Sequence, residues 1–275
     1  MKRFGLIGHP VAGSFSPRLF EAAYGGRYSY DLLEGAEFGV SWQRFLDEYD
    51  GINITAPFKQ DAFRAVDALS DDARLCGAVN LAVKTQDGIV GYNTDVDGVV
   101  LAVQEALAGL ASPDTQPVIP GSLETKPVIP GSTSSVIPGP TGNLLADALV
   151  VGCGGAGRAA AVAALRLGCR VTLANRTPAR AAALAEDLGC EWIPAEDLPA
   201  LCPDLVIYTV PGPMDGFPEF PDAIILEANY RTPCLSGHGR AYISGLRWLL
   251  YQAVAGYQIF TGESPDTDAM FRIFC

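Results

Sequence analysis

Histidine and closely spaced cysteine, the usual side chains of zinc sites, are scarce in this 275-residue sequence. It contains two histidines, His9 and His238, and seven cysteines that form no C-x-x-C pair. Zinc sites need several such side chains at short, regular spacing, so we predict no metal centre. The cysteines, at positions 76, 153, 169, 190, 202, 234 and 275, are typical of scattered reduced thiols rather than of a disulfide framework.

Long apolar runs and excess positive charge are also lacking. No segment approaches about 18 uninterrupted apolar residues, and the apolar run after Lys2-Arg3 is too short for a signal peptide. The net charge of −12 excludes an electrostatic footprint for nucleic acid or anionic lipid. We therefore expect a soluble cytoplasmic protein, a monomer or homodimer, that acts on a small molecule and not on nucleic acid or a membrane.

Short apolar segments alternate with helical patterns along most of the chain. We predict strands at 4–8, 28–33, 51–55, 80–84, 89–92, 148–152, 170–174, 205–210 and 223–228. We predict helices at 17–24 (capped by Ser16), 41–48, 60–69, 95–107, 158–167 and 243–260. This alternation predicts the α/β class, with a mainly parallel sheet and helices on both faces.

Residues 111–143 differ in composition from the rest of the chain. They are rich in Pro, Gly, Ser and Thr, and Val-Ile-Pro-Gly occurs there three times. Proline removes ladder donors and the repeat is too short to bury a face, so we interpret the segment as a surface insertion rather than a solenoid; a partner-binding or self-associating segment is the alternative. We predict two domains around it: an α/β substrate domain at 1–100, on which 250–275 pack back, and a Rossmann domain at 144–249.

A glycine pattern follows the apolar strand that ends at Val151. Gly152-Cys153-Gly154-Gly155-Ala156-Gly157 fits G-x-G-x-x-G and opens a helix, which is the context that a dinucleotide site requires. Gly152 permits the tight turn, Gly154 admits the pyrophosphate, and Gly157 lets helix and strand pack closely. The helix N-terminus offers N–H groups to the phosphates. We assign cofactor contacts to Gly152, Gly154, Gly155, Ala156 and Gly157.

The next strand delivers Asn175-Arg176-Thr177 where an NAD site usually carries an acidic residue. Arg176 can pair with a 2′-phosphate, and Asn175 and Thr177 can donate hydrogen bonds to it. Arg180, one helical turn further on, adds a second positive charge. The predicted cofactor is therefore NADP(H).

Three polar clusters stand at strand ends in the first hundred residues. They are Gly13-Ser14-Phe15-Ser16-Pro17, the segment Gly51 to Lys59, and Asn93-Thr94-Asp95. Ligands of open α/β sheets bind beyond the carboxyl ends of strands. Lys59 and Asp95 offer a proton donor and a group that positions it, which the reduction of a ketone by hydride requires.

These motifs together make the chain similar to the shikimate dehydrogenases along nearly its whole length, apart from 111–143. The matching segments are Ser14-Phe15-Ser16-Pro17, Asn53-Ile54-Thr55-Ala56-Pro57-Phe58-Lys59, Gly77-Ala78-Val79-Asn80, Gly91-Tyr92-Asn93-Thr94-Asp95, Gly152 to Ala159, Asn175-Arg176-Thr177, Gly245, Gln252 and Thr261-Gly262. The resemblance implies reversible, NADPH-dependent reduction of 3-dehydroshikimate to shikimate, a step of aromatic amino-acid biosynthesis.

The resemblance also implies roles for individual residues. Ser14 and Ser16 would hold the substrate carboxylate, and Lys59 and Asp95 would form the catalytic pair. The remaining assignments are Thr55, Asn80 and Gln252 to ring hydroxyls, Tyr230 to the neighbourhood of the substrate, and Gly245 to the nicotinamide.

Three segments depart from the family pattern, and other functions stay open. Gly13 stands where the family often has histidine, the loop at 208–214 lacks the usual Asn-Ala-Thr/Ser, and the stretch at 230–233 is about two residues short. The alternatives are a quinate/shikimate dehydrogenase with broader substrate or NAD use, and a catalytically silent NADP-binding regulator. The methylenetetrahydrofolate dehydrogenases share the two-domain plan, but the paired serines and the Asn-Thr-Asp motif fit them poorly.

Overall fold

The alternation of strands and helices forms two six-stranded sheets, each in its own unit. The computed structural model describes residues 2–111 and 145–274. Residues 2–94 and 250–274 belong to the first unit, and residues 95–111 and 145–249 to the second. The insertion predicted at 111–143 lies, apart from Ala111, outside the described residues.

The first described segment carries six strands and five helices. The strands are β1 (Arg3–Gly8), β2 (Ser29–Glu34), β3 (Gly51–Ile54), β4 (Ala68–Leu69), β5 (Leu81–Thr85) and β6 (Gly88–Tyr92). The helices are α1 (Ser16–Tyr24), α2 (Phe38–Glu48), α3 (Lys59–Ala65), α4 (Asp71–Cys76) and α5 (Asp95–Ala111).

The second described segment continues the series. Its strands are β7 (Asp147–Val151), β8 (Arg170–Ala174), β9 (Glu191–Trp192), β10 (Leu205–Tyr208), β11 (Ile224–Glu227) and β12 (Ala241–Ser244). Its helices are α6 (Gly155–Arg166), α7 (Pro178–Leu188), α8 (Gly245–Thr261) and α9 (Thr267–Phe271), with short 3₁₀ helices at Ala195–Ala200 and Arg272–Phe274.

The first sheet is mixed and the second is parallel throughout. The first has the order β2-β1-β3-β5-β6-β4. Its pairings are parallel for β1–β2, β1–β3 and β4–β6 and antiparallel for β3–β5 and β5–β6. The second has the order β12-β11-β10-β7-β8-β9, which is the Rossmann arrangement with its switch point at β7. The predicted α/β class with a Rossmann unit is confirmed.

Each unit has its own apolar core. In the first, aromatic rings from β1, α1 and α8 pack together, with Phe4 stacked on Phe260 at 4.8 Å between ring centroids. In the second, β7, β10 and β11 are buried along nearly their whole length, as expected for parallel strands covered on both faces. Leu149, Val206 and Ile225 are part of this core.

Helix α5 belongs entirely to the second unit, whereas the first domain was predicted to end at residue 100. The division falls between Thr94 and Asp95. Helix α5 packs against α6, where Arg166 pairs with Asp97 at 3.1 Å. The apolar composition of α5 gives no sign of which sheet it covers, so the sequence could not place the boundary.

Several local predictions of secondary structure were wrong. Helix α3 ends at Ala65 because Val66 is extended, and Ala68–Leu69 pair with β6 instead. Helix α4 was missed, although Ser70 caps it by accepting a hydrogen bond from Ala73 N at 3.2 Å. Residues 241–244 form β12 before α8 begins, and β10 ends at Tyr208 rather than at 210.

Candidate functional site

The polar segments singled out in the sequence meet at one edge of the first sheet. The parallel strands β1 and β3 both end at this edge, ahead of the Ser14–Ser16 loop and of Thr55. Strand β5 runs antiparallel to β3, so Asn80, directly before β5, lies at the same edge. Strand β6 runs antiparallel to β5 and also ends there, ahead of Thr94. The topology thus brings together segments that are far apart in sequence.

The two serines form a small hydroxyl pair at the start of α1. Ser14 Oγ donates to Ser16 Oγ at 3.1 Å and accepts from Ser16 N at 3.2 Å. Tyr257 Oη donates to the carbonyl oxygen of Ser16 at 3.0 Å. The prediction that Ser16 caps α1 was wrong: Ser16 is the first helical residue, and Phe15 precedes it without a side-chain cap. Both hydroxyls are only partly buried, so each can still donate to an anion.

Asn80, Thr94 and Gln252 form one chain of hydrogen bonds. Asn80 Oδ1 accepts from Thr94 N at 2.8 Å, and Asn80 Nδ2 donates to Thr94 Oγ1 at 3.2 Å. Thr94 Oγ1 donates in turn to Gln252 Oε1 at 3.5 Å. Sequence reasoning selected Asn80 and Gln252 but assigned no role to Thr94, which is fully buried. Its only sequence signal was its place in the Asn-Thr-Asp motif.

Tyr30 and Asn53 form a second hydrogen-bonded pair, which reaches Asn80. Tyr30 Oη donates to Asn53 Oδ1 at 2.8 Å, and Asn53 Nδ2 donates to the carbonyl oxygen of Asn80 at 3.3 Å. Burial raises the pKa of Tyr30 well above its usual range, while hydrogen bonds from Ser16 and Tyr257 oppose the rise. Tyr30 therefore stays a neutral donor at physiological pH and links the serine loop to Asn53.

Lys59 and Asp95 each open a helix at the end of a polar segment. Lys59 is the first residue of α3, after a turn closed by Phe58 N donating to Thr55 O at 3.0 Å. Its carbonyl oxygen accepts from Val79 N at 2.9 Å, which ties α3 to the segment before Asn80. Asp95 follows Thr94 directly, and its carbonyl oxygen accepts from Trp248 Nε1 at 2.9 Å in the second unit.

The glycine turn after β7 has the geometry that a pyrophosphate needs. Gly152 has φ +101°, a conformation that side chains disfavour, and a Cβ on Gly157 would collide with the carbonyl oxygen of Gly152. Helix α6 begins at Gly155, earlier than the predicted residue 158, and Gly154 precedes it without a side-chain cap. Because residues 154–156 are exposed, the first N–H groups of α6 remain available to an anion.

The residues of the Asn175-Arg176-Thr177 triplet, which follows β8, differ in their contacts. Asn175 Oδ1 accepts from Cys153 N at 3.2 Å, and Asn175 Nδ2 donates to Thr177 O at 3.0 Å, so this side chain joins the triplet to the glycine turn. Arg176, Thr177 and Arg180 are exposed beside it. An exposed arginine next to a glycine turn is the donor set that fits a 2′-phosphate, so the described residues suit NADP(H).

Tyr230 and Gly245 lie in the second unit, after β11 and β12. Tyr230 is partly buried in the loop that follows β11. Gly245 is the first residue of α8, and a Cβ there would collide with the carbonyl oxygen of Ala228. Close packing between α8 and the end of β11 therefore requires glycine at this position.

A cavity of about 660 Å³ lies at the opposite edge of the second sheet. Asp147 and Arg170, at the amino ends of β7 and β8, are among its lining residues. The glycine turn and the triplet follow the carboxyl ends of the same strands, so this cavity is not the dinucleotide site.

Residues 2–111 and 145–274 contain neither a metal-binding cluster nor a membrane-spanning helix. In those ranges, no group of three or more His, Cys, Asp and Glu side chains is arranged to hold a metal ion. None of the helices described there combines the length and apolarity needed to cross a bilayer. None of the six cysteines in the described part of the chain is in a disulfide.

Comparison with known proteins identifies the family. Residues 6–82 match the family model for the shikimate dehydrogenase substrate binding domain. A shikimate dehydrogenase (NADP(+)) from Rubrobacter xylanophilus is 35% identical over 98% of this chain and 93% of its own length. A shikimate 5-dehydrogenase from Thermus thermophilus, solved with NADP(H) and shikimate, is 29% identical with a TM-score of 0.77, covering 99% of this chain and 98% of the other. A quinate dehydrogenase from Corynebacterium glutamicum, solved with NAD, is 25% identical, also with a TM-score of 0.77, over 99% and 98% of the two chains. The chain belongs to the shikimate dehydrogenase family.

Proposed function

We propose that this protein reduces 3-dehydroshikimate to shikimate with NADPH, reversibly, as a step of aromatic amino-acid biosynthesis. The observation that carries the proposal is the hydrogen-bonded chain Asn80–Thr94–Gln252 at the same sheet edge as the serine pair. A carboxylate and several ring hydroxyls, the polar groups of shikimate, match this donor and acceptor set. The 35% identity to an NADP-dependent shikimate dehydrogenase supports the assignment.

Substrate binding follows from the chemistry of these side chains. Ser14 and Ser16 donate to the carboxylate, because a hydroxyl pair can exchange its mutual bond for two bonds to an anion. Thr55, Asn80 and Gln252 bind ring hydroxyls. Asn80 donates one N–H to Thr94 Oγ1 and accepts one hydrogen bond from Thr94 N, which leaves its second N–H for a substrate oxygen. Tyr230 is assigned to the neighbourhood of the substrate, as the family resemblance implies.

Proton transfer is assigned to Lys59 and Asp95. Bound NADPH supplies the hydride that reaches the carbonyl carbon. Lys59 donates a proton to the carbonyl oxygen, so that an alcohol forms rather than an alkoxide. Asp95 orients Lys59 and balances its charge. In the reverse direction Lys59 accepts the hydroxyl proton.

Cofactor binding uses the second unit. The N–H groups at residues 154–157 bind the pyrophosphate. Gly152 and Gly157 let the turn and the start of α6 approach each other closely. Arg176 and Arg180 pair with the 2′-phosphate, with Thr177 as a further donor and Asn175 holding the triplet in place. Gly245 borders the nicotinamide. The free thiols fit a cytoplasmic enzyme, and its oligomeric state, monomer or homodimer, stays a prediction.

Quinate is the second candidate substrate, because the chain is also similar to a quinate dehydrogenase solved with NAD. Quinate differs from shikimate by the addition of water across the ring double bond, and the choice between them depends on few contacts. The Asn175-Arg176-Thr177 triplet favours NADP over NAD in either case.

Steady-state oxidation of NADPH and NADH tests the proposal, with 3-dehydroshikimate and 3-dehydroquinate each assayed separately. We expect the highest kcat/KM for NADPH with 3-dehydroshikimate. A higher kcat/KM with 3-dehydroquinate would assign quinate instead. NADPH binding without turnover of either ketone would indicate a silent regulator and overturn the proposal.

A further inference from the structure

Two of the three departures from the family pattern lie in loops that are hydrogen-bonded to each other. Residues 209–214 follow β10, and residues 228–235 follow β11. Asn229 Nδ2 donates to Pro211 O at 2.8 Å and to Thr232 O at 2.9 Å, while Asn229 Oδ1 accepts from Thr232 N at 3.3 Å. One side chain therefore folds the second loop and fastens it to the first, so the two departures are coupled.

Glu227 fixes both ends of the second loop. It is the last residue of β11, and it is 0% exposed. Its Oε1 accepts from Cys234 N at 2.8 Å, and its Oε2 accepts from Leu235 N at 3.1 Å. A carboxylate before the loop thus binds the two amides that end it. The chain between these points, which includes Tyr230, is held at both ends.

Two further donors complete the environment of Glu227. Tyr242 Oη, from β12, donates to Oε2 at 2.9 Å, and Cys234 Sγ lies 3.3 Å from Oε1. Burial raises the pKa of Cys234 to about 11, with the hydrogen bond to Glu227 adding to the rise, so the thiol remains a donor at neutral pH. Four donors require an acceptor-only partner, which a carboxylate is and an amide is not.

The sheet order places these loops on one side of the switch point. Strand β8, which carries the Arg176 triplet, flanks β7 on one side, and β10 and β11 lie on the other. A dinucleotide spans the crevice at the switch point. With the 2′-phosphate on the β8 side, the nicotinamide half falls over the carboxyl ends of β10 and β11, where the two loops lie.

We propose that Glu227 is a positioning residue for hydride transfer, which holds the coupled loops 209–214 and 228–235 in the shape that seats the nicotinamide half of the cofactor. This inference rests on the proposed NADPH-dependent reduction. It assigns Glu227 no contact with the reacting atoms; it acts through the loop amides and through Tyr230. The adenosine half of the cofactor is bound at β7 and β8 and does not depend on Glu227.

The test compares Glu227→Gln and Glu227→Asp, with Glu219→Gln as the matched control on an exposed glutamate of the same unit. Affinity is measured for adenosine 2′,5′-bisphosphate, which probes the adenosine half alone, and for NADPH. We expect Glu227→Gln to leave the bisphosphate affinity unchanged and to lower kcat by about 100-fold, the cost of misplacing reacting groups by about 1 Å. The kinetic isotope effect with NADPH deuterated at the transferred position should rise, and Glu227→Asp, which keeps the carboxylate, should recover part of the rate.

Other outcomes overturn the inference. They are an equal loss of affinity for the bisphosphate and NADPH, or an unchanged kcat and isotope effect. If Glu227→Gln does not fold, Asn229→Ala removes the hydrogen bond between the loops without changing the buried carboxylate. We again expect an unchanged affinity for the bisphosphate and a lowered kcat. Hydrogen exchange of residues 228–235, which should speed up in Glu227→Gln, needs no turnover. If the wild type does not reduce the ketone, that result refutes the proposed function alone, because the hydrogen-exchange test of Glu227 does not depend on it.

Discussion

Asn80 binds Thr94 through both ends of its amide, accepting from Thr94 N at 2.8 Å and donating to Thr94 Oγ1 at 3.2 Å. Asn80 is 3% exposed and Thr94 is fully buried. The pair lies at the sheet edge where β5 begins and β6 ends. It orients Gln252 through the hydrogen bond from the Thr94 hydroxyl.

Asn80→Ala should destabilise the protein, because it leaves the buried N–H of Thr94 without an acceptor. We expect the free energy of unfolding in urea to fall by about 1–3 kcal/mol. Thr94→Val replaces the hydroxyl with a methyl group and should raise KM for the ketone more than it lowers kcat. A double-mutant cycle should give a coupling energy of about 0.5–3 kcal/mol. Additive effects would show that the bond from Asn80 Nδ2 to Thr94 Oγ1 contributes little.

Lys59→Ala should remove the proton donor while leaving substrate binding intact. We expect kcat for ketone reduction to fall by about 10²- to 10⁴-fold with little change in KM. Lys2→Ala, on an exposed lysine of the same unit, is the control and should match wild type. A raised KM at unchanged kcat would mean that Lys59 binds substrate and does not transfer the proton.

Arg176→Ala should change the choice of cofactor. Loss of the charged hydrogen bonds to the 2′-phosphate should raise KM for NADPH by about 10- to 100-fold and leave KM for NADH nearly unchanged. Arg170→Ala is the matched control, since Arg170 stands at the other end of β8 and pairs with Asp147 at 2.7 Å. An equal effect on both cofactors would refute the assignment.

Gly157→Ala should damage the turn itself, because the new Cβ meets the carbonyl oxygen of Gly152. We expect the Tm of the ligand-free protein to fall, with a loss of about 1–3 kcal/mol from overpacking. Gly155→Ala, in the same turn, has no heavy atom within 4 Å of the new Cβ and should leave this Tm unchanged or slightly higher. Similar Tm values for the two variants would contradict the close approach.

Tyr24 should make stability depend on alkaline pH. It is buried, its hydroxyl donates to Tyr257 O at 2.9 Å, and burial raises its pKa to about 12. Because the folded pKa exceeds the unfolded value of about 10, the contribution is fully present below pH 10 and is lost as the pH rises toward 12. Urea unfolding between about pH 9 and 11.5 should show a steeper decline for wild type than for Tyr24→Phe, by at most about 1.4 kcal/mol per pH unit. Parallel curves would show that Tyr24 titrates normally.

Several features of the fold and site could be predicted from local sequence. The glycine turn, with Gly157 at its closest approach, follows from spacing, since only glycine tolerates that geometry. Strand β8 was predicted with its observed bounds, because a short apolar segment before Asn175 ends where the turn residues begin. The end of α3 and the presence of β4 were not predictable in this way, because only pairing with β6 decides them.

The candidate site also contains residues that local sequence predicts and residues that only the fold reveals. At Ser14, Lys59 and Asn80, short motifs that resemble those of the shikimate dehydrogenases predicted carboxylate binding, proton transfer and hydroxyl binding. Thr94 and Glu227 gave no such signal, because their importance comes from burial and from partners elsewhere in the chain: Asn80 for Thr94, and the loop amides at 234 and 235 for Glu227. A buried group must find its hydrogen bonds inside the protein, and those bonds are set by the packing of distant segments.

The sequence by itself determined the α/β class, the dinucleotide turn and the NADP-type triplet, since each depends on residues within one strand, turn or helix start. Only the tertiary structure decided that α5 joins the second unit, that four polar segments share one sheet edge, and that the divergent loops after β10 and β11 are bound together. The reason is physical. Strand order and antiparallel reversal bring distant segments together, and local propensity carries no information about which strands become neighbours.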